Sequence, residues 1–232
     1  MEISFPLHPK SPKTKMNYSS VVAAASAALL LIACGPSEAE LAAQREKAVA
    51  DSLAAAAAAE HVYSIDPANS RIEWKGTMLG VKSHYGTIAI TDGKMTVQGG
   101  MPLSGSFAVD MSAINPLDTN YAPDDAKQGT KSMLIGHLQS PDFFDVATFP
   151  SAEFTITGAS GTTITGDLTL RGQTHSETVT DVVITEENGI LSATGKLTFD
   201  RQKYGAAWSS GAKDMVLNDN IELNIELSGK AE

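Results

Sequence analysis

From Val62 onward, apolar and polar residues alternate with a period of two, and this restricts the chain to half-buried β-strands. Ile72, Trp74 and Gly76 alternate with Arg71, Glu73, Lys75 and Thr77. Phe107, Val109 and Met111 alternate with Ser106, Ala108 and Asp110. The same pattern puts Ile164, Gly166, Leu168 and Leu170 on one face, and Leu191, Ala193, Gly195, Leu197 and Phe199 on another. Ile221, Leu223, Ile225 and Leu227 close the series. Turn-forming residues punctuate the strands at Asp66-Pro67-Ala68-Asn69, Thr91-Asp92-Gly93, Gly99-Gly100, Ala159-Ser160-Gly161 and Glu187-Asn188-Gly189. The pattern predicts about eight antiparallel strands. Each carries one apolar face, which must close on itself or on a second sheet. Alternation leaves an eight-stranded barrel and a packed sandwich both open. Glycines on the apolar faces, Gly76, Gly166 and Gly195, suit a barrel with interior room or sharp curvature.

One stretch breaks the alternation. Thr130 to Leu138 reads as a short helix, and Ser140-Pro141-Asp142 as a break followed by a new helical turn. Phe143, Phe144, Val146 and Phe149 then place four large apolar groups in seven positions. That is too much apolar surface for a free loop, so a helical lid plugging one end of the β-structure is expected. A strand follows Pro150, with Phe154 and Ile156 on its apolar face.

Residues 1–33 read as a signal peptide. Val21 to Ala33 is an apolar run too short to span a bilayer comfortably, and Lys10, Lys13 and Lys15 precede it. Met16 is an alternative start. Leu31-Ile32-Ala33-Cys34-Gly35 resembles the bacterial lipobox, and Cys34 is the chain's one cysteine. A lipidated Cys34, carrying palmitate-type acyl chains worth roughly 0.8 kcal/mol per buried methylene, would anchor the protein to a membrane. Gly35 and Pro36 do not look like an inner-membrane retention signal, which favours the outer membrane. Residues 34–60 form the linker. Glu38 to Glu60 is alanine-rich and predicts a helical stalk of roughly 30 Å. The full chain carries a net charge of −10, and residues 1–33 hold a net +2, so the remainder carries −12. Such a chain does not seek nucleic acid through bulk charge.

Several stretches of residues 61–232 together resemble the YceI-like family. They are Ile65 to Trp74, Ser83-His84-Tyr85-Gly86-Thr87, Gly136 to Asp145 with Phe149-Pro150, Gly166 to Gly172, Phe199 to Gly205, and Asp219 to Leu227. The resemblance implies an all-β fold, an eight-stranded antiparallel lipocalin-like barrel with a short helical segment at one end. It further implies a long isoprenoid or related amphiphile in an elongated apolar cavity, and it is compatible with a homodimer. The resulting expectation is an envelope lipoprotein that carries or sequesters such a lipid without chemistry.

The inward faces offer Trp74, Phe107, Phe154, Ile156, Leu168, Leu170, Leu197, Phe199, Leu223 and Ile225 as cavity lining, with Phe143 and Phe144 as the lid. His84, Arg201 and Lys203 are the candidates for a lipid head group. Arg201 and Lys203 could equally pair with Asp142, Asp145 or Asp200 to hold the lid. His137 is expected to bond a helix carbonyl. Asp124-Asp125 and Glu186-Glu187 read as solvated loop charges. The histidines stand singly, so no metal site is expected, and Asp118 to Asp125 lacks the spacing of a calcium loop. No nucleophile elbow, phosphate loop or dinucleotide fingerprint is present, so neither a cofactor nor catalysis is expected. The alternative is a packed barrel displayed on a stalk as a protein-interaction module, and the two readings differ in whether the barrel holds a cavity.

Overall fold

The computed structural model describes residues 35–79, 82–209, 211 and 216–232. The signal peptide, the lipobox and Cys34 lie outside the described residues. Helix α1 (Glu38–Ala58) matches the alanine-rich stretch, and none of its residues is buried. Ser37 closes its first turn by a reciprocal pair with Glu40: the Ser37 N–H donates to Glu40, and the Glu40 N–H donates to Ser37 Oγ.

The strands are β1 (Glu60–Ile65), β2 (Arg71–Leu79), β3 (Lys82–Gln98), β4 (Met101–Pro116), β5 (Ser151–Ser160), β6 (Thr163–Leu170), β7 (Gln173–Glu187), β8 (Ile190–Asp200) and β9 (Val216–Ala231). Antiparallel pairing runs in sequence order from β2 to β9, and β9 then pairs with β2, so the sheet closes. β1 and β2 lie end to end in one position between β3 and β9. A 3-10 turn, Pro67–Asn69, separates them, capped by Asp66. The nine strands therefore form an eight-stranded closed barrel. Closure answers the question that alternation left open, and it leaves no sheet edge unpaired.

Two hairpins follow directly from their turn residues. Gly99 and Gly100 both have positive φ, as do Asn188 and Gly189, which is the geometry of a tight two-residue turn. Thr91-Asp92-Gly93 is not a turn. β3 runs straight through it with a register shift between Ile90 and Asp92. A bulge there suits Gly93, because a Cβ would stand 2.9 Å from Phe107 Cδ1. The bulge switches which parity faces inward, from Ile88 and Ile90 to Met95 and Val97. A second bulge, at Asp181 with φ 54°, does the same in β7.

Helix α2 (Lys131–Gln139) lies between β4 and β5, capped by the Thr130 hydroxyl, which accepts from the Met133 N–H. Ser140 ends this helix instead of starting a new one, its N–H and hydroxyl both donating to the His137 carbonyl. Residues 141–149 are a compact turn, held by Phe149 N–H to Asp145 O and Val146 N–H to Gln139 O. The strand registers place α2, this turn, the β6–β7 turn and residues 201–209 at one end of the barrel. The hairpins at Gly99-Gly100 and Asn188-Gly189 lie at the other end, where the chain enters through β1.

Candidate functional site

The inward faces do not fill the barrel. They enclose a cavity of about 320 Å³, within the range of roughly 300–1,000 Å³ usual for small-molecule pockets. All ten lining candidates border it, as do Phe143 and Phe144. Trp74 comes from β2, Leu223 and Ile225 from β9, Leu197 and Phe199 from β8, and Phe154 and Ile156 from β5. Sequence reasoning missed Trp208, Leu134, Val182 and Leu217, which also line it. Trp208 and Leu134 lie outside the strands, where alternation carries no signal. Val182 follows the bulge that reverses parity in β7.

The inward glycines differ in what they do. A Cβ on Gly76 would meet only Ile221 Cδ1, at 3.6 Å, so Gly76 faces open space in the cavity wall. A Cβ on Gly166 would stand 2.3 Å from Phe154 Cζ, so this glycine makes room for the Phe154 ring. At the entry end, Tyr63, Val97 and Leu191 are 3%, 0% and 0% exposed and do not border the cavity. The Tyr63 hydroxyl donates to Glu186 Oε2 at 2.7 Å. Burial and the Glu186 carboxylate push its pKa up to about 12. Glu186 also sits 2.8 Å from His61 Nδ1. It is thus a partnered group within β7, not a solvated loop charge.

At the other end the lid is fastened by two arginines. Arg171, in the β6–β7 turn, donates to Pro141 O at 2.7 Å and to Gly205 O at 2.9 Å. Arg201 lies over the Phe143 ring, its guanidinium carbon 5.7 Å from the ring centre. Phe143 and Phe144 meet edge to face at 4.7 Å and are almost fully buried.

The head-group candidates separate. Arg201 is 2% exposed and does not face the cavity. It donates to the carbonyls of Asn218 and Ala206 and to Asp219 Oδ1 at 3.0 Å. Its direct carboxylate partner is Asp219, not Asp142, Asp145 or Asp200. Burial lowers its pKa, and Asp219 and Asp200 oppose that shift. Lys203 is half exposed, 4.0 Å from Glu177, and does not face the cavity either. Both residues serve the barrel end rather than the lumen.

His84 does border the cavity, and tertiary structure gives it partners that spacing concealed. Its Nδ1 donates to Asp118 Oδ2 at 2.9 Å. Asp118 Oδ1 accepts from the Tyr121 hydroxyl at 2.6 Å and the Tyr85 N–H at 3.3 Å. The rings of His84 and Tyr121 stack 5.6 Å apart. Burial alone would raise the Asp118 pKa; hydrogen bonds from Tyr121 and His84 and the His84 charge outweigh it, and the net shift is downward. The same carboxylate, with burial, pushes the Tyr121 hydroxyl up. The hydrogen-bond partners of His84 among the described residues are Asp118 and Tyr121. No grouping of three metal-ligating side chains occurs among the described residues. His137 borders the cavity too, but bonds no helix carbonyl. Its Nε2 is buried and finds no partner among the described residues, with Trp208 4.7 Å and Phe143 5.6 Å away, ring centre to ring centre.

Comparison with known proteins bears on this barrel. Residues 63–229 match the YceI-like domain. A UPF0312 protein of Pseudomonas putida (strain W619) is 31% identical over 128 residues, covering 53% of this chain and 61% of that protein. The chain thus spans 61% of the length of this curated relative. The crystal structure of Burkholderia cenocepacia BcnA aligns with a TM-score of 0.55 and 18% identity over 71% of this chain and 98% of that one, a likeness of fold. A polyisoprenoid-binding domain from Saccharophagus degradans aligns with a TM-score of 0.45 and 13% identity, over 73% and 98% of the two chains.

Proposed function

The chain belongs to the YceI-like family, and from that premise we propose that its barrel binds a long-chain isoprenoid or similar amphiphilic lipid, carrying or sequestering it without chemistry. The supporting observation is the cavity itself: about 320 Å³, bordered almost wholly by aliphatic and aromatic side chains and covered by the lid. An empty apolar cavity forfeits contacts that a hydrocarbon chain supplies. Each buried methylene contributes roughly 0.8 kcal/mol before ordering costs are subtracted. A packed interaction module does not account for this unfilled volume. Entry would require the lid turn to come away from Arg171, which holds Pro141 O, and from Arg201, which lies over Phe143.

We propose further that Cys34 is lipidated and holds the protein in the bacterial envelope, the outer membrane being favoured. The support is the lipobox-like stretch alone. A Cys34→Ala protein should leave the membrane fraction, and retention there would refute the anchor.

The carrier reading is tested by fluorescence. Both tryptophans of the chain, Trp74 and Trp208, border the cavity. Titrating delipidated protein with geranylgeraniol should quench them saturably at one ligand per barrel, and Phe154→Asp should abolish the response. Absence of saturable binding would sink the carrier reading.

A further inference from the structure

The cavity wall carries few polar side chains: His84, His137, Glu153 and Thr194, besides the two indoles. Glu153 and Thr194 are exposed. The Trp74 indole N–H donates to Thr87 O at 3.2 Å. His84 is engaged by Asp118. His137 remains. It stands near the end of α2 beside the lid turn, and its Nε2 is buried without a partner among the described residues. Burial lowers its pKa, opposed by the Asp142 carboxylate, so the charged form is disfavoured. An unpaired buried nitrogen is a standing cost, which native structures usually avoid unless the site awaits a partner.

Cations are equally informative. Among the described residues, no lysine or arginine borders the cavity. Three described cations at this end of the barrel are engaged elsewhere: Arg171 by two carbonyls, Arg201 by Asp219 and two carbonyls, Lys203 near Glu177. Any positive charge on His84 is balanced by Asp118. A phosphate drawn in under the lid would lose its hydration and meet no compensating cation among the described residues.

We infer that the bound lipid has an uncharged hydroxyl head and that His137 is its hydrogen-bond partner, so that the barrel takes a long-chain alcohol and discriminates against the corresponding phosphate. A hydroxyl both donates and accepts, so it pairs with Nε2 in either tautomer. The head lies under the lid, and the tail runs toward Met95 and Leu227. This assignment rests on the carrier reading above.

The test compares geranylgeraniol with geranylgeranyl phosphate on the delipidated full chain at pH 7, read by tryptophan fluorescence. The alcohol should bind at least tenfold more tightly. His137→Leu should weaken alcohol binding about tenfold and leave phosphate binding unchanged. It should also leave the melting temperature of the unliganded protein equal or higher, since it removes an unsatisfied nitrogen; a purely structural histidine would lower it. His137→Gln, which keeps a hydrogen-bonding side chain, should retain the preference. Equal or tighter binding of the phosphate, or alcohol binding unaffected by His137→Leu, overturns the head assignment while leaving the carrier reading standing. Binding of neither compound overturns both.

Discussion

Replacing Gly76 with leucine separates a cavity that holds ligand from one that is merely a packing gap. Gly76 sits on the inward face of β2 between Trp74 and Met78, and all three border the cavity. Its backbone does not require glycine, and a Cβ there meets only Ile221 Cδ1 at ordinary contact distance. A leucine side chain would therefore enter the lumen. Burying it contributes about 1.5–3 kcal/mol, and removing glycine from a strand contributes a further 0.5–1 kcal/mol or so. Lost rotamer freedom takes back about 0.5–1 kcal/mol. The net gain is roughly 2 kcal/mol, or a rise of about 4–8 °C in melting temperature for a domain of this size. The four added carbons displace about four carbons of a bound chain. At roughly 0.8 kcal/mol each this is about 3 kcal/mol, a loss of affinity of about a hundredfold. Gly76→Ala is the control, with a small gain in stability and unchanged binding. Thermal melts without ligand and fluorescence titration with geranylgeraniol read both quantities. A stabilised Gly76→Leu protein with unchanged affinity would place the lipid elsewhere, and a destabilised one would refute the open space at Gly76.

Arg171→Ala removes both ties between the lid turn and Gly205. It should speed lipid exchange in stopped-flow mixing by about tenfold or more while changing equilibrium affinity little, and an unchanged off-rate would show that Arg171 does not restrain the lid. Asp118→Asn tests the His84 cluster through pH. The folded-state pKa of Asp118 is depressed, so its stabilising contribution is complete above the unfolded value of about 3.9 and is lost as pH falls through the lower folded value. The variant should melt about 3–6 °C below the parent at pH 7, for roughly 1–2 kcal/mol of lost carboxylate bonding. That gap should shrink as pH drops below about 4. A gap that stays constant down to pH 3 would refute the assignment.

Most of the barrel's local design was legible in the sequence. Alternation identified the inward faces of β2, β4, β6, β8 and β9, because side chains on a strand point to opposite sides whatever the partner. Gly99-Gly100 and Asn188-Gly189 announced their hairpins, because positive φ at both turn positions favours those residues. Thr91-Asp92-Gly93 misled, since a bulge and a turn draw on the same residues and only the neighbouring strand tells them apart. Arg201 and Lys203 misled for a related reason. A basic pair beside an aromatic says nothing about which way it faces, and the fold turns Arg201 into the protein against Asp219.

What the sequence determined by itself was local: which residues face inward, where the chain reverses, and the family to which residues 63–229 belong. Tertiary structure decided what depends on distant neighbours. Closure requires β2 to meet β9, as in the pairing of Arg71 with Glu226 across most of the domain, and no local pattern encodes that partnership. His84 acquires Asp118 and Tyr121 only when β3 lies beside the end of β4 and the residues that follow it. The cavity, too, is a property of the closed ring, because its volume is what remains after eight inward faces and a lid have met and failed to fill the space between them.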